Sequence, residues 1–166
     1  MKEIIDKITT YNLFNYLLPG IIFVIFMNKF IGYDFVQDNN FIGGFLYYFI
    51  GMIISRIGSL IVEPVLEYLK FLKKSDYQEF VSASKKDSKI ELLSETNNSY
   101  RTIVATFILL IVVKCYKLIA DTYTISGVLV SFVIFILLGT LFLFAYKKQA
   151  KYVVKRVNAN KEEQGI

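Results

Sequence analysis

Residues 122–146 read TYTISGVLVSFVIFILLGTLFLFAY, with no acidic or basic side chain anywhere in the run. At a helical rise of ~1.5 Å per residue this stretch exceeds the ~30 Å of a bilayer's hydrocarbon core, which roughly 20 apolar residues cross. Working outward from it, the pattern recurs three times. Residues 8–28, between Lys7 and Lys29, are uncharged; residues 39–62 are interrupted only by Arg56; residues 102–113 are charge-free and run on through Lys114 and Lys117 to Ala120. Four such stretches in 166 residues, 55% of them hydrophobic, leave almost no sequence for a water-soluble core. The fold class that follows is an all-α, polytopic membrane protein with four transmembrane helices at about 11–29, 41–63, 102–120 and 123–146, read as a single domain over 1–166.

Lys2 and Lys7 precede the first stretch as they would in a cleaved signal. Glu3 and Asp6 spoil that basic leader, the run is long and no small-x-small cleavage site follows, so a retained anchor is expected. The single Cys115 sits inside the third helix and has no partner cysteine, so disulfides play no part.

Lysine and arginine set orientation. Lys2 and Lys7 lie before the first span, seven basic residues lie in the central segment 64–101, and six lie in the tail 147–166; these regions hold 15 of the 19 Lys and Arg and share one face if there are four spans. That face is expected to be cytoplasmic, with both termini inside a bacterial inner membrane. In the central segment Leu66, Leu69 and Leu72 predict that helix two continues to about Lys74. A short helix is expected over 76–84 or 88–95, before a polar linker at Ser94–Ser99. In the tail, Ala150, Val153, Val154 and Val157 fall on one helical face and Lys148, Lys151 and Lys155 on another, predicting a basic amphipathic extension of helix four.

Enzyme signatures are scarce. Histidine is absent, removing the commonest general base and a common metal ligand, and no Gly-rich phosphate loop, nucleophile elbow or paired-cysteine motif occurs. Asp76, Glu79, Asp87, Glu91 and Glu95 are interleaved with lysines, as on a solvated surface. Neither catalysis nor a metal or organic cofactor is expected.

Within the spans, Pro19 crowds the carbonyl of Asn15 and predicts a bend there. Asn15 then serves as a packing hinge or as a polar lining. In helix two, Gly44, Gly51, Ser55 and Gly58 fall in one narrow stripe, the usual basis of close helix association in membranes, and are expected to carry self-association. On the flank of the stripe lie Arg56 and Glu63, seven residues apart. One reading pairs them, within a subunit or across an interface, with Pro64 ending the membrane portion. The other makes Arg56, Glu63 and Asn15 line or gate a conducting path. Lys114 and Lys117 are expected to snorkel, Lys117 pairing with Asp121. The tail cluster Lys147, Lys148, Lys151, Lys155 and Arg156 contains no acid and suits lipid headgroups, a nucleic-acid-like ligand or an acidic partner protein.

The segment Tyr11-Asn12-Leu13-Phe14-Asn15-Tyr16-Leu17-Leu18-Pro19-Gly20, with four spans and a short charged central segment, resembles small membrane proteins encoded with bacterial anti-phage systems, the membrane components of the Hailong and Kiwa systems. The resemblance implies an inner-membrane homo-oligomer, a tetramer, working with a separately encoded cytosolic partner. A Hailong-like protein would be a channel-forming effector held shut by a nucleic-acid oligomer that a partner nucleotidyltransferase makes. A Kiwa-like one would be a membrane sensor docking a DNA-binding partner. A proton-coupled transporter is disfavoured, because none of the four spans carries an acidic residue near its centre.

Overall fold

The structure, a computed structural model, describes residues 10–123 and 126–163. The tail with Lys2 and Lys7 lies outside them. The described residues are helical, without strands, and four of the helices are long and apolar enough to cross a membrane. We label them α1 (Leu13–Ile31), α2 (Asn40–Tyr68), α4 (Lys89–Thr122) and α5 (Gly127–Glu163), with the short α3 (Tyr77–Lys86) between α2 and α4.

Both prolines of the chain shape the helix before them in the same way. Pro19 follows a π turn at Leu13–Leu17, and Pro64 follows one at Gly58–Val62. Proline cannot donate to the carbonyl four residues back and crowds it. The wider turn relieves that crowding, the Leu18 N–H reaching the Leu13 carbonyl and the Glu63 N–H the Gly58 carbonyl. The bend expected near Asn15 takes this form.

α1 ends in a third π turn, Met27–Ile31, closed by Gly32 at φ 85°, a left-handed position where glycine carries no Cβ penalty. α2 starts at Asn39, whose side-chain oxygen accepts from the Phe41 and Ile42 N–H groups at 2.9 and 3.2 Å. It stops at Tyr68, short of the expected Lys74. Lys70 turns left-handed at φ 59°, and the Phe71 and Leu72 N–H groups return to the Leu66 carbonyl. This reversal lays Lys74 back along α2 beside Glu63 and Glu67.

Of the two places expected for a short helix between α2 and the third span, the first holds α3, capped by the Asp76 carboxylate on the Gln78 N–H. The second holds no separate element. Residues 89–122 form one 34-residue helix, and the expected linker at 94–99 is its interior. Its hydroxyls satisfy themselves on the preceding turn, Thr96 donating to the Leu92 carbonyl and Ser99 to that of Glu95, so a polar stretch continues the helix. α5 likewise runs unbroken through the expected amphipathic tail.

α1, α2 and α4 make the core. α1 and α2 cross so closely that a Cβ on Gly20 would strike the Tyr47 carbonyl, and one on Gly51 the Tyr16 carbonyl. α4 packs along both through Ala105 and Leu110, against Ile54, Val62, Phe23 and Met27. α5 lies outside this trio, touching α2 and α3, with Phe142 stacked on Phe49 at 6.2 Å. The buried share of the apolar windows falls from 39% in α1 to 6% in α5, so α5 is the helix least tied to the rest.

Candidate functional site

Three polar residues meet inside the core. Asn15 sits within the first π turn of α1, facing Ser55 of α2 and Thr102 of α4, and all three are buried. Thr102 Oγ1 donates to Asn15 Oδ1 at 2.7 Å, and Asn15 Nδ2 donates to Ser55 Oγ at 3.3 Å. Thr106 Oγ1 donates to the Thr102 carbonyl. A buried amide left without partners costs about 1–3 kcal/mol, so this triad fixes the mutual register of three helices. Asn15 is buried among these partners, within the π turn that precedes Pro19.

At the next residue of each helix, Arg56 donates from Nη2 to the Tyr16 hydroxyl at 3.0 Å, and the Tyr16 ring stands edge-on to Tyr48. Among the described residues Arg56 and Glu63 do not pair within the chain. Seven residues of regular α-helix would bring the two onto one flank, but the π turn at Gly58–Val62 lies between them, in effect inserting a residue and swinging Glu63 toward α4.

Glu63, 5% exposed, is held by cations from three separate segments. Lys74 lies 2.9 Å away, Arg101 of α4 3.3 Å and Lys148 of α5 3.4 Å. Lys74 also meets Glu67 at 2.7 Å, and Lys148 donates to the carbonyl and hydroxyl of Ser59, both at 2.7 Å. Burial alone would lower the Lys74 pKa, but hydrogen bonds to Glu67 and Glu63 outweigh it and raise the ammonium above its ordinary value. Arg101 Nε is buried without a hydrogen-bond partner among the described residues.

The small-residue stripe serves the protomer itself. Gly51 lies on α1, Ser55 joins the triad and Gly58 faces Ala105 and Arg101 of α4; only Gly44 has nothing within 4 Å of an added Cβ. Within the chain, Gly51 and Gly58 thus bring α1 and α4 close to α2, while Gly44 stays open.

The tail cations also divide. Lys148 turns inward to Glu63, and Lys155 stands over the Tyr77 ring at 5.8 Å. Lys147, Lys151 and Arg156 are exposed. At the opposite end Lys114 donates to the Phe30 carbonyl and Lys117 to that of Ile31, so these lysines cap α1, where the helix dipole favours cations. Sequence reasoning missed the partners Arg101, Thr102 and Tyr16, because each sits on a different helix from the residue it serves, and Lys74, because the chain reaches Glu63 by reversing at Lys70. The Pro64 that ends the second π turn was the one available signal for the rotation of Glu63.

Comparison with family models, curated proteins and solved structures finds no match to this chain.

Proposed function

We propose that this chain is a homo-oligomeric, multi-pass inner-membrane effector of bacterial anti-phage immunity, closed at rest, whose opening depolarises the membrane. The observation that supports this most is the cage around Glu63. One buried carboxylate of α2 gathers cations from the α2–α3 connection, the start of α4 and the far part of α5. In the proposed topology that end faces the cytoplasm, where a partner protein such as a nucleotidyltransferase, or a nucleic-acid oligomer it makes, would meet exposed Lys147, Lys151 and Arg156. Breaking a buried ion pair from one side costs about 3–5 kcal/mol, comparable to what a two-state switch requires. Because the polar groups of α1, α2 and α4 are engaged with one another, the ion path belongs to an assembly of copies and opens when the cage is released.

Glu63→Gln tests this reading. The variant leaves Lys74, Arg101 and Lys148 facing a neutral amide and is expected to depolarise cells without infection, while the parent does so only during it. If parent and variant both assemble in the membrane and neither changes the membrane potential, infected or not, conduction is rejected. A non-conducting sensor that recruits a cytosolic DNA-binding partner then takes its place. That second reading is favoured by the platform beside the cage, where α3 packs on α4 and α5, burying Val81 and Ala159 and joining Lys85 to Asn160 at 3.0 Å.

A further inference from the structure

Between α2 and α5 lies a cleft of about 30 Å³ lined by Arg56, Ser59, Leu60, Ala145, Lys148, Gln149 and Tyr152. That exceeds the ~10–15 Å³ a single water-sized group needs, so a phosphate oxygen fits. The cleft brings together two cations from different helices. Arg56 uses one of its five N–H donors, on the Tyr16 hydroxyl. Lys148 is already shared by Ser59 and Glu63, yet among the described residues the neighbourhood stays positive, with Arg56, Lys74, Arg101 and Lys148 set against Glu63 and Glu67. An arginine in an apolar span is costly unless its charge is met, and among the described residues no carboxylate meets Arg56.

We infer that this cleft seats one oxygen of a phosphate group, the Arg56 guanidinium and the Lys148 ammonium supplying the charge and Gln149 and Tyr152 the neutral rim. Arginine's planar fork suits phosphate oxygens, and such charge-assisted bonds are about twice as strong as neutral ones. Two sources share this chemistry, the headgroup of an anionic lipid and free phosphate. The lipid is favoured by the surroundings, because apolar Leu60 and Ala145 flank the cations and the Phe49–Phe142 stack continues the α2–α5 seam along the span, where acyl chains lie. The inference requires that the four helices cross a bilayer, and it stands whether or not the protein conducts.

The test uses the full chain, purified in neutral detergent, stripped of lipid and titrated with short-chain phosphatidylglycerol, short-chain phosphatidylcholine or inorganic phosphate, with binding read by native mass spectrometry and by the thermal unfolding midpoint. Phosphatidylglycerol is expected to bind stoichiometrically and raise the midpoint, and phosphatidylcholine to do neither. Arg56→Gln should weaken binding about 10-fold and Arg56→Lys, which keeps a charge but loses the fork, by less. Lys73→Gln, which removes one exposed charge at the same end, should leave it unchanged. A response to inorganic phosphate equal to that of phosphatidylglycerol would uphold the phosphate seat and overturn the lipid as its source. If Arg56→Gln fails to fold, the lysine variant decides. Binding as tight in a folded Arg56 variant as in the parent, or phosphatidylcholine binding as well as phosphatidylglycerol, overturns the site.

Discussion

The α1–α2 crossing and α5 are both built from apolar sequence, yet they are held in opposite ways. At the crossing, glycines bring backbone against backbone, and Asn15, Ser55 and Thr102 close the gap with hydrogen bonds. α5 has the most apolar window of the four helices and the least buried one, and near its apolar stretch it is fastened by few side chains, chiefly Phe142 and Lys148. Hydrophobicity decides that a segment enters a bilayer, but lipid tails are as apolar as leucine, so small residues and polar contacts decide which helices stay together.

The sharpest way to break this comparison is one methyl group placed in each region. Gly51→Ala drives its Cβ into the Tyr16 carbonyl, a backbone group that moves only if α1 moves, and overpacking of this kind costs about 3 kcal/mol. Gly139→Ala in α5 meets nothing within 4 Å and gains helix propensity, so unfolding of the detergent-solubilised protein should be unchanged or slightly harder. A tolerated Gly51→Ala beside a destabilising Gly139→Ala would reverse the ranking and place an unseen neighbour against α5.

A smaller effect is expected at the triad. Asn15→Ala leaves Thr102 without its shortest acceptor and removes the amide donor to Ser55, costing about 2 kcal/mol in chemical unfolding. An unchanged stability would mean that glycine packing alone holds the crossing.

The smallest effect concerns pH. Lys74 is half-exposed and its pKa is raised in the folded chain. Its contribution is therefore complete below the ordinary lysine value of 10.5 and is lost as pH rises through the higher folded value. Thermal unfolding followed from pH 9 to 11.5 should show a loss at the alkaline end that Lys74→Met lacks. An identical alkaline loss in both proteins would assign it to other groups.

The four apolar helices were legible because charge-free runs of bilayer length have few other uses. Their ends were less so. The Ser94–Ser99 run looks like a linker by composition and becomes helix because its hydroxyls bond backward to Leu92 and Glu95. Glu63 stood out as a charge at the edge of a span, but its partners follow it by 11, 38 and 85 residues in the chain, beyond any local pattern. Its separation from Arg56 depends on a π turn, which shifts every later residue around the helix while leaving the sequence spacing unaltered.

α4 differs from α1 and α2 in having neither proline nor π turn along its 34 residues. At ~1.5 Å per residue it is a stiff rod of ~50 Å, longer than the ~30 Å of hydrocarbon it would cross. A rod has no place to absorb a push. The Arg101–Glu63 ion pair and the Lys114 and Lys117 ammonium groups that meet the last carbonyls of α1 sit on this one uninterrupted helix, so a tilt of α4 would move the contacts at both ends of the bundle together.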